Sequence, residues 1–572
     1  MEDKYNILDR NKSTEEHYVI REGVLEIGEF AFYGCSIITS IDIPDSVSKI
    51  GEMAFGGCNS LKSVKIPNSV KTIELSAFNG CSSLESIEIP CSVTEIESFV
   101  FEDCINLPPG LLIYANGKKC YGWIGDSSKC SCIEIPNSVT EIGKNAFRDC
   151  SSLISIKMPD SVTEIGEGAF WGCNNLKSVK VPDSVTKIEN MTFRNCTSLE
   201  SIEIPDSVTK IGGMAFERCN NLKSVKFPVT LIEIGDAAFY NCTSLDSVIM
   251  PDSVTEIGAS AFEDCEKLSS RLLTYANGTK CYGWIGNKSK CKSIEIPRSV
   301  NMIGKGAFRS CKNLESIEIP KTIMKIGSYA FSNCTNLSSI IIPNSVTEIG
   351  EGAWWGCISL TSIKIPNSVT KIRKRTFCEC TSLTNIEIPD SITEIEEWAF
   401  SDCASLTSIE IPNSVIKIEE GAFCDCQNLF CIIIPNLITT IEGYTFAGCT
   451  RLNYIYIPDS VTTIGEYALF GCSSLNDITI PKSVTTIGEY AFGGYPNLKE
   501  IQCRIEHIEN VEISANAFMN CKLSKCTLYV PVGTMHTGII QYSRNSRILS
   551  WKNKESEGRY GLITRFSQYL HK

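Results

Sequence analysis

The segment Pro159–Pro182, PDSVTEIGEGAFWGCNNLKSVKVP, decides the fold. In its last third, Leu176, Val179 and Val181 set up the alternation of a short strand with one buried face. Pro182 has no N–H to give to a ladder and closes that strand; Asp183-Ser184 behind it is turn chemistry. Val162 and Ile165 begin a second edge, and Ala169, Phe170 and Cys173 have the spacing of one helical or 3₁₀ turn. A strand and two corners use up the 23 residues, so no long helix fits.

The same segment recurs along the chain. Prolines fall every 23 residues at Pro44, Pro67 and Pro90, from Pro136 to Pro251, and from Pro297 to Pro481, with two steps of 46 between these runs. Fourteen residues after the prolines stands a cysteine, as at Cys58, Cys81, Cys104, Cys150 and on to Cys472, with Cys35 in the same register. A unit this small cannot bury its apolar positions alone, so the units must stack. The expectation is one solenoid of about twenty coils, its strands about 4.8 Å apart in a parallel sheet.

Composition narrows the chemistry. The chain has 572 residues, 30 of them Cys and only 4 His, with a net charge of −13. That balance argues against a grip on nucleic acid or anionic lipid. Between His17 and His507 there is no imidazole, so the long middle of the chain has no histidine base or zinc ligand. An enzyme site would have to lie near His507 and His536, where no partner motif accompanies either. No cofactor and no metal are expected. The first residues form no apolar leader, and no apolar run is long enough to span a membrane. The default expectation is therefore an intracellular protein with reduced thiols.

The repeated Leu-x-x-Ile-x-Ile-Pro, Ser-Val-x-x-Ile-Gly and Ala-Phe-x-x-Cys resemble the BspA-like leucine-rich repeats from about Tyr18 to Cys503. The tail Cys526-Thr-Leu-Tyr-Val-Pro-Val-Gly533, with Trp551 downstream, is similar to the closing segment of bacterial members. The resemblance implies a β-rich α/β leucine-rich-repeat solenoid, a right-handed coil with a parallel concave sheet and short helical or 3₁₀ turns outside. It also implies no catalysis and a role in adhesion or in binding host proteins, as in bacterial and protist surface antigens. Cell-surface display is thus the expectation that competes with an intracellular structural or signalling scaffold. The division expected is a polar N-terminal cap over 1–17, about twenty repeats over 18–504, hairpin units near 108–132 and 269–293, and an irregular C-terminal cap over 505–572 in which Arg544, Arg547 and Trp551 fold over the open end.

Each column of the repeat has an expected role. The cysteines read as small buried residues present for their size, and the phenylalanines as a stacked core. Gly28, Gly51, Gly143 and Gly166 share a column with Glu74, Glu97, Glu189 and Glu396, which a position needing positive φ would not allow; an exposed, permissive corner is expected. The outward strand positions carry serine in one column and mixed charge in the next, from Asp42, Lys65 and Glu88 to Glu387 and Glu410. Cys431 and Ile433, then Tyr454 and Tyr456, replace serine and charge in consecutive coils, which marks a candidate protein-binding patch.

The two 46-residue steps enclose Leu111–Gly125 and Leu272–Gly286, near copies with Asn116-Gly117 and Asn277-Gly278 as hairpin signals. Trp123 and Trp284 are candidate contacts if these hairpins project; otherwise they are variants of a coil. A zinc site from Cys120, Cys130 and Cys132 fails in the second copy, where Cys281 and Cys291 are joined by Ser293.

Overall fold

The computed structural model describes residues 15–496, 498–505 and 511–521, and the strands at 7–8, 527–531, 540–541, 548–549 and 560–563. The chain forms two compact units, Met1–Ser269 with Ile285–Asn287, and Ser270–Trp284 with Lys288–Lys572. Both are stacks of 23-residue coils.

In the first unit, three-residue strands His17–Val19, Ser40–Asp42, Ser63–Lys65 and Ser86–Glu88 run parallel. Their register places Ser63 on Ser86, Val64 on Ile87 and Lys65 on Glu88. The middle residue turns inward and its neighbours outward, the period of a strand. A second parallel ladder joins Ile7–Leu8, Glu26–Ile27, Lys49–Ile50, Thr72–Ile73 and Glu95–Ile96. The second unit repeats both, for example Ser362–Lys364 on Asn385–Glu387 and Lys371–Ile372 on Glu394–Ile395. Its last ladder runs through Asp477–Ile480, Glu500–Cys503 and Thr527–Pro531, and finishes on Tyr560–Ile563, which pairs antiparallel.

The segment expected to hold a helical or 3₁₀ turn is instead a third set of cross-coil bonds. Phe30, Phe32 and Gly34 donate their N–H groups to the carbonyls of Glu52, Ala54 and Gly56 at 2.7–2.9 Å, while Ala31, Tyr33 and Cys35 close turns onto Gly28, Phe30 and Phe32. A helix would keep all these N–H groups within one coil. Here every second one is spent on the next coil, and the backbone reaches it by left-handed φ values of 55° at Phe30 and 71° at Gly34. Among the described residues the 3₁₀ helices are Ser127–Lys129 and Lys288–Lys290, both in the hairpin units, and no helix is long and apolar enough to cross a membrane.

The inward columns build the core. Val162, Ile165, Ala169, Phe170, Cys173, Leu176, Val179 and Val181 are all buried. The phenylalanine rings lie nearly parallel, with Phe32, Phe55 and Phe78 5.2 and 5.0 Å apart; Trp354 takes one place between Phe331 and Phe377. The cysteines do more than fill space. Cys173 Sγ donates to the Phe147 carbonyl at 3.0 Å and Cys196 Sγ to that of Phe170 at 3.1 Å, always one coil back. A thiol is a weak donor, but it is small enough to lie between two stacked turns.

The Gly/Glu corner has no left-handed φ at Gly51 or Gly166, yet it is not open. Both glycines are buried, and a Cβ would lie 2.8 Å from the Ile27 oxygen at Gly51 and 2.6 Å from the Lys144 nitrogen at Gly166. The corner is closed because its N–H bonds the isoleucine carbonyl one coil back, as Gly51 does to Ile27 at 2.8 Å. Where glutamate stands there it is partly covered at Glu74, which pairs with Lys49 at 2.6 Å, and exposed at Glu97.

Each hairpin occupies one coil. Gly110–Tyr114 pairs antiparallel with Lys119–Ile124 around a four-residue loop whose Ala115, Asn116 and Gly117 all have positive φ. Lys119–Cys120 then pairs parallel with Glu141–Ile142, so the returning strand takes its place in the second ladder. In the other copy, within the second unit, Lys280–Cys281 pairs with Met302–Ile303 in the same way. Gly122 has φ 132°, and a Cβ there would overlap the Ala146 carbonyl oxygen, which also accepts the Trp123 N–H at 3.1 Å. Gly283 and Trp284 stand in the same relation to Ala307.

Candidate protein-binding site

The outward side of the three-residue ladder is the surface on which a partner could be read. Most of it is polar. Its charge column holds exposed cross-strand pairs, Lys157 with Glu134 at 2.6 Å and Lys364 with Glu387 at 2.8 Å, which fix register more than they stabilise. Lone apolar residues there, Ile249 and Ile341, are highly exposed but have polar neighbours in their columns and need no explanation.

Two consecutive coils of the second unit differ. Cys431–Ile433 lies parallel on Tyr454–Tyr456, with Cys431 opposite Tyr454 and Ile433 opposite Tyr456. Ile432 and Ile455 are buried beneath, which turns the flanking side chains outward: Ile433 is 62% exposed, Tyr454 50% and Tyr456 42%. Cys431 is half-buried. The structure thus brings the three candidate residues together on one face.

It adds two that the column reading missed. Phe430, 57% exposed, precedes the strand in a column that is polar in the neighbouring coils, at Thr384, Thr407, Asn453 and Asn476. Leu437, 54% exposed, stands where other coils have a hydroxyl that bonds the preceding coil, as Ser414 Oγ does to Ile392 O at 2.8 Å and Ser460 Oγ to Ile438 O at 2.7 Å. Both were legible as departures from their columns.

The hairpin tryptophans are half-buried rather than free. The Trp123 indole N–H donates to the Asp126 carbonyl at 3.1 Å, and the ring lines a cleft of about 540 Å³ together with Phe99, Glu102, Tyr121, Arg148 and Asp149. Arg148 lies over the rings of Phe99 and Trp171 at 5.0 and 4.1 Å. Burial pushes the Glu102 carboxyl above its usual range, with Asp103 adding to the shift. Trp284 packs with Leu272 against the core of the second unit.

Among the described residues no three His, Cys, Asp or Glu side chains are grouped to hold a metal. Cys120 and Cys130 are buried while Cys132 is exposed. His17 is the one histidine among the described residues; its Nδ1 lies 2.8 Å from Ser40 Oγ and its Nε2 3.4 Å from Asp42. His507, His536, Arg544, Arg547, Trp551 and most of the expected 1–17 cap lie outside the described residues.

Six copies of the BspA type leucine rich repeat region match the sequence, over residues 11–109, 124–228, 191–282, 285–404, 347–475 and 422–547. The chain belongs to the BspA-type leucine-rich repeat family. A leucine-rich repeat protein of Bacteroides ovatus is 32% identical over 66% of this chain and 94% of its own, with a TM-score of 0.40. A leucine rich cell surface protein of Faecalibacterium prausnitzii is 25% identical over 78% and 89%, with a TM-score of 0.30. The pneumococcal vaccine antigen PcpA is 18% identical over 72% and 95%, with a TM-score of 0.35. No curated protein matches. A BspA-type repeat array is consistent with a scaffold for protein–protein interaction, and such scaffolds are typically non-enzymatic.

Proposed function

We propose that this chain is a non-enzymatic scaffold that binds another protein through the outward face of its three-residue ladder, in the manner of a surface adhesin. One observation carries the proposal: Phe430, Ile433, Leu437, Tyr454 and Tyr456 all face water within two adjacent coils, whereas exposed apolar residues elsewhere on the outward face, such as Ile249 and Ile341, stand singly. Folding gains little from leaving them there, whereas clustered aromatic and branched side chains are what dominates binding energy at protein interfaces. Trp123, partly exposed beside its cleft, and Trp284 are secondary candidate contacts.

The test is a photo-crosslinking residue placed at Ser408, beside the patch, in cells that make the protein. The expected result is an adduct with one partner that disappears when Tyr454 and Tyr456 are both changed to Ser, with the melting temperature unchanged. An adduct indifferent to those changes removes the patch from the proposal. Labelling of intact cells with a membrane-impermeant reagent tests the adhesin part, and an unlabelled chain overturns it.

A second reading, an intracellular scaffold, has its own observation. The column thiols serve as hydrogen-bond donors, as Cys173 does to Phe147, and must stay reduced to do so, which suits a reducing compartment.

A further inference from the structure

Three carboxylates stand beside the patch, and of the nearby cations Arg451 donates to Asn428 Oδ1 at 3.1 Å rather than to any of them. Ser408 bridges Cys431 in parallel, which sets Glu410 one coil before Ile433 in the same column. Asp477 stands one coil after Tyr454, and Asp459 one coil after Asn436, the neighbour of Leu437. All three carboxylates are exposed, and among the described residues none meets a basic side chain. Lys482, one coil beyond Asp459, makes no ion pair with it. Farther along the charge column the glutamates Glu387 and Glu134 are each held by a lysine.

The unpaired carboxylates bear on what can cover the patch. While water reaches them, these carboxylates cost nothing. A neutral apolar partner that seals the patch strips water from them and leaves the charges without compensation. A partner that brings cations to the rim replaces the lost hydration and is drawn in by the field as it approaches. Tyr454 and Tyr456 work in the same direction, because the face of a phenol ring attracts ammonium and guanidinium groups.

Resting on the patch reading above, we propose that the occupant is a segment of a partner protein in which apolar side chains are flanked by lysine or arginine. The apolar groups cover Phe430, Ile433 and Leu437, and the cations lie against Glu410, Asp477 and the tyrosine rings.

Fluorescence anisotropy on the full chain tests this with three short labelled peptides: one alternating Leu and Lys, one alternating Leu and Glu, and one alternating Ser and Lys. The expected result is that the Leu/Lys peptide binds at least roughly tenfold more tightly than either other, and weakens as salt is raised. Glu410→Lys with Asp477→Lys should reverse the preference between the Leu/Lys and Leu/Glu peptides. The milder Glu410→Gln with Asp477→Asn should abolish it, so the measurement survives if the reversed variant misfolds. Ile433→Ser with Tyr454→Ser and Tyr456→Ser should remove binding of all three peptides at unchanged melting temperature. Equal binding of the Leu/Lys and Leu/Glu peptides, lost in the triple variant, overturns the cationic partner and leaves the patch standing. Absence of binding, or binding that the triple variant retains, overturns both. A dimer of the wild-type chain that the triple variant dissolves assigns the patch to a second copy and also overturns the proposal.

Discussion

Tyr495 donates its phenolic O–H to the Leu469 carbonyl at 2.7 Å, in the place where Cys472 one coil earlier donates its thiol to the Phe446 carbonyl. The array keeps the same donor on a larger residue for one coil, and the thiol returns at Cys521, whose Sγ donates to the Phe492 carbonyl at 2.9 Å. Tyr495 is fully buried, so Tyr495→Phe removes a donor without opening a large cavity. A loss of about 1–3 kcal/mol is expected from the undersatisfied carbonyl, read as a lower denaturant midpoint at unchanged slope. A neutral Tyr495→Phe would show that the column needs volume alone.

The thiols predict alkaline instability. Burial pushes Cys120, Cys281, Cys357 and Cys472 each up to about 12, whereas an unfolded thiol titrates at about 8.5. Above that value the unfolded chain has released protons that the folded chain still holds. The stability these groups contribute is therefore fully present below about pH 8.5 and declines as pH rises toward 12. Melting temperature should fall steadily from about pH 8.5 upward, and less steeply after Cys357→Ser. A flat profile to pH 10 would refute the burial argument.

Phe216 is fully buried between Phe193 and Phe239, at ring separations of 5.4 and 5.0 Å. Phe216→Ala should cost about 3–5 kcal/mol, measurable by urea unfolding. The loss should spread to coils on both sides, because each coil is stable only against its neighbours.

Gly122 and Gly117 separate two reasons for glycine. Both have positive φ, but only Gly122 lies so close to Ala146 that a Cβ collides with backbone; the nearest atoms to a Cβ at Gly117 belong to Ser138, at 3.4 Å. Gly117→Ala should cost about 1–2 kcal/mol, from strain alone. Gly122→Ala should cost more and lift the hairpin, seen as faster hydrogen exchange at the Trp123 amide. Equal effects of the two substitutions would contradict the close approach.

Several of these features had no local sign in the sequence. The thiol of Cys173 finds its acceptor 26 residues back, and the Phe30 N–H finds its own 22 residues ahead. Partners that far apart leave no short pattern, so the turn segment reads as helical spacing when it is a ladder. One trace existed: the residue before the column cysteine is often Gly, Asn or Asp, as in Gly34, Asn195 and Asp264, and all three have left-handed φ. The glycine column that drew notice instead, that of Gly51 and Gly166, lies tight against the coil before it, which only stacking reveals.

By itself the sequence determined the period, the inward columns, the place of the hairpins and three of the five apolar side chains exposed together on two coils, because in a repeat each position is compared with its own copies and a misfit such as Tyr454 stands out. Tertiary structure decided the rest. How the backbone of one coil lies on the next sets the left-handed turn residues, the closed corner at Gly51, the thiol bonds and the exposure of Phe430 and Leu437. That fit depends on hydrogen bonds and contacts between residues a full coil apart, and a single coil read alone contains none of them.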